Sequence, residues 1–588
     1  MARGHELVTV RPAAAWRAAV SPWTPPLVTP ASVPHRVGVQ PPDGFRGTYR
    51  DDASARAVYS EAAGIARMMP RAVAVPADAA DVETLVRWAA LTGTPLTPRG
   101  SGSSMANGAV GEGVIVDLSR LTHIGTADRA GGTILCGPGA LRDAVEQAAQ
   151  HAGLSFPVDP SSGRFCTVGG MCATNAAGAR SLRYGATRAW VNAIECVFAD
   201  GARAWVRRGQ PAPVGLRAVE RFKQQVAPRL ADARFALTHA GVRKESSGYA
   251  LAAYAERGEL IDLLVGSEGT LALFTAVELT LLPASHETAS VFAAFATLED
   301  AVAAAVDCTA HGASAVELLD RTFLDVVRAG TTLDVPDGTE AVLLIEAEGV
   351  RIDLARERMR ALAAGCRSRG ATHVVEAPDE ASETAVWAIR HSASPILNRL
   401  DPHLASVQVV EDGAVPPARF PDYVRGVRAV FERHALRCVI FGHAGDAHAH
   451  VNALVDVREA SWRPRLGAVL TEVTALVAAL GGTIAAEHGD GRLRAPLLPR
   501  VWSPLAVELF RATKLAFDPE GILNPGVKVP LNGQLPFTDI KYDPALAPLP
   551  DDARAALDAV AHERLWGRFR LGMLAPGAPG AQPAPHRA

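Results

Sequence analysis

The chain has 588 residues, with 59 Lys and Arg against 62 Asp and Glu and a formal net charge of −3, which leaves no basic footprint for nucleic acid. With 48% hydrophobic residues, the length predicts two or three folded domains and excludes disorder throughout. Seven scattered cysteines without a CxxC pair argue for a reducing compartment, and against both a disulfide framework and an iron–sulfur module built on cysteine clusters in this sequence.

No run approaches the roughly 20 apolar residues of a membrane span, and the first twenty residues lack the uninterrupted apolar stretch of a secretory signal. The expectation is a cytoplasmic protein. In chain order, the first fifty residues are proline-rich and read as an irregular arm (1–55). Residues 71–76 predict a strand and 78–92 a helix with Val82, Leu85, Val86 and Ala89 on one face. Residues 95–98 and 114–118 predict further strands and 141–151 a second helix. Residues 157–185 show little periodicity, as expected of a long loop organised by a ligand. A hairpin is predicted over 193–206, a helical excursion over 207–250 and a strand over 277–282, closing a first domain over 56–285.

Residues 292–295, 313–319, 341–347 and 406–410 predict strands; 298–311, 353–369 and 420–434 predict the helices between them. The pattern is α+β, an antiparallel sheet with helices on one face, and it spans a second domain over 286–528. A helix over 466–480 leads into GGTIAAEHGDG. Residues 529–588 read as an extended tail, its last dozen disordered.

Chemistry concentrates in two places. The strand at 95–98 runs into Arg99, Gly100, Ser101, Gly102, Ser103 and Ser104, where bare backbone and hydroxyls form a nest of donors suited to a pyrophosphate. An ordinary tight turn is the competing reading of that loop alone. Asp159, Pro160, Ser161 and Ser162, with Thr167, Gly169, Gly170, Thr174, Asn175 and Gly178, make a second such stretch, and Gly266, Glu268, Gly269 and Thr270 a third. Three of them in one domain point to a long ligand, a dinucleotide. The second place is GHAGDAHAHVN with EHGDG. Its imidazoles and carboxylates suit a divalent metal and a proton-abstracting base, although histidines among glycines can also be plain turn residues.

The motifs RGSGSS, DPSS…TVGG…TNAAG, YG (Tyr184, Gly185) and GSEGT resemble the FAD-binding domain of the vanillyl-alcohol oxidase superfamily. Their order with HAGDAHAH, EHGDG and NPG (Asn524) is similar to the FAD-linked oxidases that include D-lactate dehydrogenase, D-2-hydroxyglutarate dehydrogenase and the glycolate oxidase D-like subunits, over residues 60–530. The resemblance implies an FAD-binding domain of two subdomains at 56–285, and a substrate or cap domain at 286–528 carrying a metal site and a C-terminal flavin-contacting segment. It implies FAD, noncovalent because residues 99–106 offer neither His nor Cys. It further implies a divalent metal (zinc, manganese or iron) on His443, His450 and Glu487, and His488 as the base while hydride moves to flavin N5. Asn452 would lie near the substrate, Arg390 would clamp a carboxylate with Ser394 one turn on, and Asp446 would orient a ligand histidine.

The implied reaction oxidises a D-2-hydroxy acid of the lactate or glycolate kind to the 2-oxo acid. Electrons would pass to a separate iron–sulfur protein, flavoprotein or quinone, which would hold the enzyme peripherally at the inner membrane if the acceptor sits there. Relatives of this kind are compatible with a homodimer. The alternatives are an oxidase of an alcohol or aromatic substrate in the same superfamily, and a non-catalytic flavin subunit of an electron-transfer complex. The sequence departs from the family at Ala447-His448, which adds an imidazole, and at Ala272. Val410, Glu411 and Asp412 stand where some relatives carry a lysine, which argues against a dicarboxylate substrate.

Overall fold

The computed structural model describes residues 40–284, 286–327, 335–391, 404–538 and 540–574. Ser394, most of the N-terminal arm and the last dozen residues lie outside them. A four-stranded sheet runs in the order Thr48–Arg50, Ala72–Val75, Val114–Asp117, Leu96–Arg99. Its first pair is antiparallel and the others parallel. The end of the expected arm is therefore not irregular: Thr48–Arg50 is an edge strand.

The helix Ala79–Thr92 crosses between parallel strands of this sheet. Asp78 caps it by accepting the N–H of Asp81, and Gly93 closes it in the left-handed conformation (φ +66°), where a side chain would be strained. Val82, Leu85, Val86 and Ala89 are buried, as their spacing predicts. A second four-stranded sheet is antiparallel: Thr133–Cys136, Leu273–Thr280, Val191–Val197, Arg203–Arg207. Residues 157–185 hold more structure than their sequence suggests. Thr167 caps a helix over Val168–Thr174, which Asn175 ends at φ +54°. Two adjacent glycines hide this helix from propensity arguments, and Gly169 is needed because a Cβ there would stand 2.6 Å from Pro138.

The large antiparallel sheet runs Ala371–Ala377, Glu287–Phe295, Ala341–Gly349, Ala315–Asp320, Arg437–His443, His448–Asp456, Leu404–Val407, with Gly413–Ala414 paired to His448–Asp456. Helices Leu298–Ala310, Ile352–Ser368, Phe420–Arg433 and Trp462–Ala479 pack on one face. The other face is not open. It carries Phe323 and Leu324 of Arg321–Val327, and Val386 and Ile389 of Glu380–His391. The strand Ala341–Gly349 shows why, since all nine residues are buried: Leu343 and Ile345 face one layer, Val342 and Leu344 the other. An unbroken apolar strand signals burial on both faces.

The expected extended tail is also corrected. Asp551–Glu563 is a helix whose Ala553, Ala556, Leu557 and Val560 pack with Val58, Tyr59, Val73 and Ile115. Among the described residues no helix is long and apolar enough to cross a membrane.

Candidate active site

Strands Arg437–His443 and His448–Asp456 form a hairpin closed by a short turn, with Ala447 in the left-handed region (φ +55°). Successive side chains alternate across a strand, so His448, His450 and Asn452 share one face. Phe441 lies opposite His450, and Glu317 of the neighbouring strand lies opposite His443. Glycine, alanine and histidine are poor strand formers, which is why the motif reads as a turn although its residues are buried strand.

The site assembles around four carboxylates, Glu487, Glu317, Glu411 and Asp412. Glu487 Oε1 is 3.1 Å from His443 Nε2 and 3.4 Å from His450 Nε2; its Oε2 accepts from Lys244 Nζ at 2.7 Å. Glu317 accepts from His443 Nδ1 on one oxygen and from Arg390 Nε at 2.7 Å on the other. Glu411 accepts from His488 Nδ1 at 2.6 Å and is also bonded to Arg494. Asp412 takes the N–H of His488 at 2.8 Å and lies 2.9 Å from His448 Nε2. The His450 and His488 rings stack at 5.0 Å, 12° apart. Asp446 does not orient a histidine: it accepts from Ser181 Oγ at 2.6 Å and lies 3.9 Å from Lys244.

These contacts set the charges. Burial penalises the Glu487 carboxylate, yet Lys244 and His443 hold it well below the usual range. Burial likewise opposes ionised Glu317, but His443 and Arg390 outweigh it. Burial disfavours protonated His488, whereas Glu411 and Asp412 bring its pKa up to about 9. Burial and the neighbouring His450 push His448 down to about 3, so it is a neutral imidazole, and its Nδ1 is buried without a partner.

A cavity of about 450 Å³ reaches this cluster from the two smaller sheets. Arg390, Asn452, His443, His450, Glu487 and His488 all line it. So do Gly100, Ser101, Gly102, Ser103 and Ser104, together with Pro160, Ser161, Ser162, Thr167, Gly169, Gly170, Thr174, Gly178 and Gly269. Among the described residues, no protein acceptor takes the main-chain N–H groups of residues 100–104. Gly100 is required in this loop, because a Cβ would sit 2.1 Å from Thr167 Oγ1.

Several residues expected at the cofactor are engaged in the frame, Arg99 among them although it also lines the cavity. The Arg99 guanidinium donates to the carbonyls of Tyr59, Glu61 and Ala109. Asp159 accepts from the Arg180 N–H, Asn175 from the Arg188 N–H, Tyr184 bonds Glu348, and Thr270 bonds Tyr249. Gly185 and Gly266 hold positive φ away from the cavity wall. Glu268 lines the cavity, but its oxygens accept the N–H groups of Asp490 and Gly491 at 2.7 and 2.8 Å. Asn524 donates to Gly108 and Glu268 carbonyls. Together they pin the EHGDG turn against the glycine-rich loops.

Residues 70–207 match the family model of the FAD binding domain, and 284–527 that of the C-terminal domain of FAD linked oxidases. The chain is 30% identical over 459 residues to D-lactate dehydrogenase of Archaeoglobus fulgidus, covering 77% of this chain and 90% of that protein. It belongs to the FAD-linked oxidases. The glycolate oxidase subunit GlcD of Bacillus subtilis is 29% identical over 496 residues, 83% of this FAD-linked oxidase and 95% of the relative. In fold, the chain is similar to 4-ethylphenol oxidase from Gulosibacter chungangensis, with a TM-score of 0.59 at 14% identity over 82% of this chain and 95% of that one. The α+β architecture of a flavoprotein oxidoreductase thus stands.

The residues present fit FAD. Five consecutive unengaged N–H groups and the buried, unpartnered Ser104 Oγ are what a pyrophosphate requires. Sequence reading missed Glu317 and Lys244. A lone glutamate in the apolar strand Ala315–Asp320 was a usable signal, because a buried charge needs a partner. Lys244 carried none.

Proposed function

We propose that this FAD-linked oxidase dehydrogenates a D-2-hydroxy monocarboxylate of lactate or glycolate size to the 2-oxo acid, using a divalent metal ion. The convergence of His443, His450 and Glu487 on the cavity wall beside Arg390 and His488 carries the reading. Donors at about 2.1 Å from one tetrahedral ion lie about 3.4 Å apart. The 3.1 and 3.4 Å spacings here fit that requirement. His448 adds a fourth donor to this group, the ligand atoms all within 4.8 Å of one another, and its Nδ1 is buried without a hydrogen-bond partner. Zinc, manganese and iron all suit these ligands.

FAD supplies the two-electron oxidant when bound, and the ion a Lewis acid toward the substrate oxygens. The protein does the rest. Glu317 holds Arg390 through Nε; among the described residues no acceptor takes its terminal guanidinium nitrogens, which suit the substrate carboxylate. Glu411 holds His488 through Nδ1 and leaves Nε2 toward the cavity. With the pKa raised to about 9, the neutral imidazole that accepts the hydroxyl proton is the minor form at neutral pH and grows as pH rises. Glu411 and Asp412 stabilise the imidazolium that results. Asn452 offers a hydrogen bond from the same strand face. Lys244 is engaged with Glu487 and does not line the cavity. Among the described residues Arg390 is thus the guanidinium that lines the cavity beside the histidine cluster, and a single fork there favours a monocarboxylate. The electrons pass to a separate iron–sulfur protein, flavoprotein or quinone.

A dye-linked assay with paired D- and L-2-hydroxy acids and carboxylate-free alcohols tests this. Turnover of a D-acid alone, lost in His488→Ala by at least about 10²-fold, is expected. Faster turnover of a carboxylate-free alcohol would overturn it.

A further inference from the structure

Residues 541–570 lie beyond both family-matched regions, yet they form part of the cavity. Lys541, Tyr542, His562, Arg564 and Trp566 line it. The segment is tied to the glycine-rich loop: Arg570 donates to the Ser101 carbonyl at 3.2 Å, and Lys541 to Ala62 O at 2.9 Å, whose neighbour Ala63 in turn donates to Gly102 O. Arg564 ends the helix Asp551–Glu563 at φ +56°, which turns the chain back over the cavity, with its guanidinium 5.4 Å from the Phe165 ring centre.

The charges behind the loop need an anion. Arg99 and Arg570 are 2% and 3% exposed. Neither forms an ion pair among the described residues, and the Nε of each lacks a partner. The nearby Asp117 is already bonded to Tyr59 and to the N–H of Ser119. Burial and the neighbouring Arg99 push Arg570 down to about 9, the mark of crowded, uncompensated positive charge. A pyrophosphate on the five free N–H groups in front of these guanidinia would compensate it.

We propose that residues 541–570 are a third element of the FAD site, holding the pyrophosphate-adenosine half of the dinucleotide. On the reaction proposed above, on which this assignment rests, the flavin half meets the histidine cluster. The other half is left to the wall formed by Ser161, Ser162, Phe165, Arg564 and Trp566. An indole and a guanidinium both stack on a purine, and Arg99 and Arg570 supply charge from behind.

Flavin-stripped full-length protein titrated with FAD and with riboflavin decides it. The Arg564→Ala/Trp566→Ala variant changes half-buried cavity-lining groups. Since Trp566 also packs on a core cluster and under Arg570, the variant's Tm is compared with wild type, and the unchanged riboflavin Kd serves as the folding control. We expect its Kd for FAD to rise at least tenfold while its Kd for riboflavin stays unchanged. FAD should also protect the wild-type chain from trypsin after Arg564 and Arg568. Arg570→Gln should weaken FAD similarly; should it fail to fold, the double variant still decides. An unchanged FAD Kd in the double variant, or an equal loss for riboflavin, would overturn the assignment.

Discussion

Glu317 faces His443 across two antiparallel strands and accepts its Nδ1–H, which turns Nε2 toward Glu487. Through its second oxygen the same carboxylate fixes Arg390. One buried glutamate thus positions both a candidate metal ligand and the candidate substrate clamp, a carboxylate–histidine arrangement that sets the tautomer of the ligand.

Glu317→Gln keeps the shape of the side chain but removes its charge. Metal affinity, measured by competition with a chromophoric chelator, should fall about 10- to 100-fold, and FAD content should stay at the wild-type level. Unchanged metal affinity would show that Glu317 is only an ion-pair partner of Arg390.

His448 occupies a place where its Nε2 meets Asp412 and its Nδ1 meets nothing. His448→Asn retains a donor toward Asp412 and deletes the imidazole. The visible spectrum of cobalt-loaded protein should change and cobalt affinity should fall about tenfold, as expected when a nitrogen ligand is lost. An identical spectrum would leave His448 outside the coordination sphere.

Arg390→Lys preserves a charge for Glu317 but loses the planar fork. We expect KM for the hydroxy acid to rise about tenfold or more with a smaller change in kcat, measured by steady-state dye reduction. An effect on kcat alone would place Arg390 outside substrate binding.

Asp320, at the end of its strand, is 2% exposed and accepts the N–H of Phe323 at 2.9 Å. Burial raises its pKa to about 7 from 3.8, so the fold favours the protonated acid. The stability this gives is complete below about pH 4 and is lost as pH rises through about 7, on the order of 4 kcal/mol over that window. Asp320→Asn should remove that decline, giving a higher Tm than wild type at pH 8 and a similar one near pH 4. Parallel Tm profiles would contradict the assignment.

Much of this was legible in the sequence. The helix Ala79–Thr92 carries its cap, its apolar stripe and its terminal glycine in plain view, and the glycine-rich loops and histidine motifs were placed by residue type and order. The hairpin at the site was not legible, because Gly, Ala and His do not look like buried strand; register with Glu317 and pairing with Asp412 decide it. Arg99, Asn175 and Glu268 lie within recognisable motifs, yet which atoms face the cavity follows from long-range hydrogen bonds that no local pattern encodes. The same holds for residues 541–570, where prolines before the helix Asp551–Glu563 disguise a segment folded back onto Ser101.

The most direct test is anaerobic flavin absorbance near 450 nm after mixing with D-lactate or glycolate, before and after metal chelation. The account predicts bleaching by a D-2-hydroxy acid that chelator abolishes and added zinc, manganese or iron restores. Bleaching that ignores the chelator would remove the metal from the mechanism, and no bleaching by any 2-hydroxy acid would contradict the proposed reaction itself.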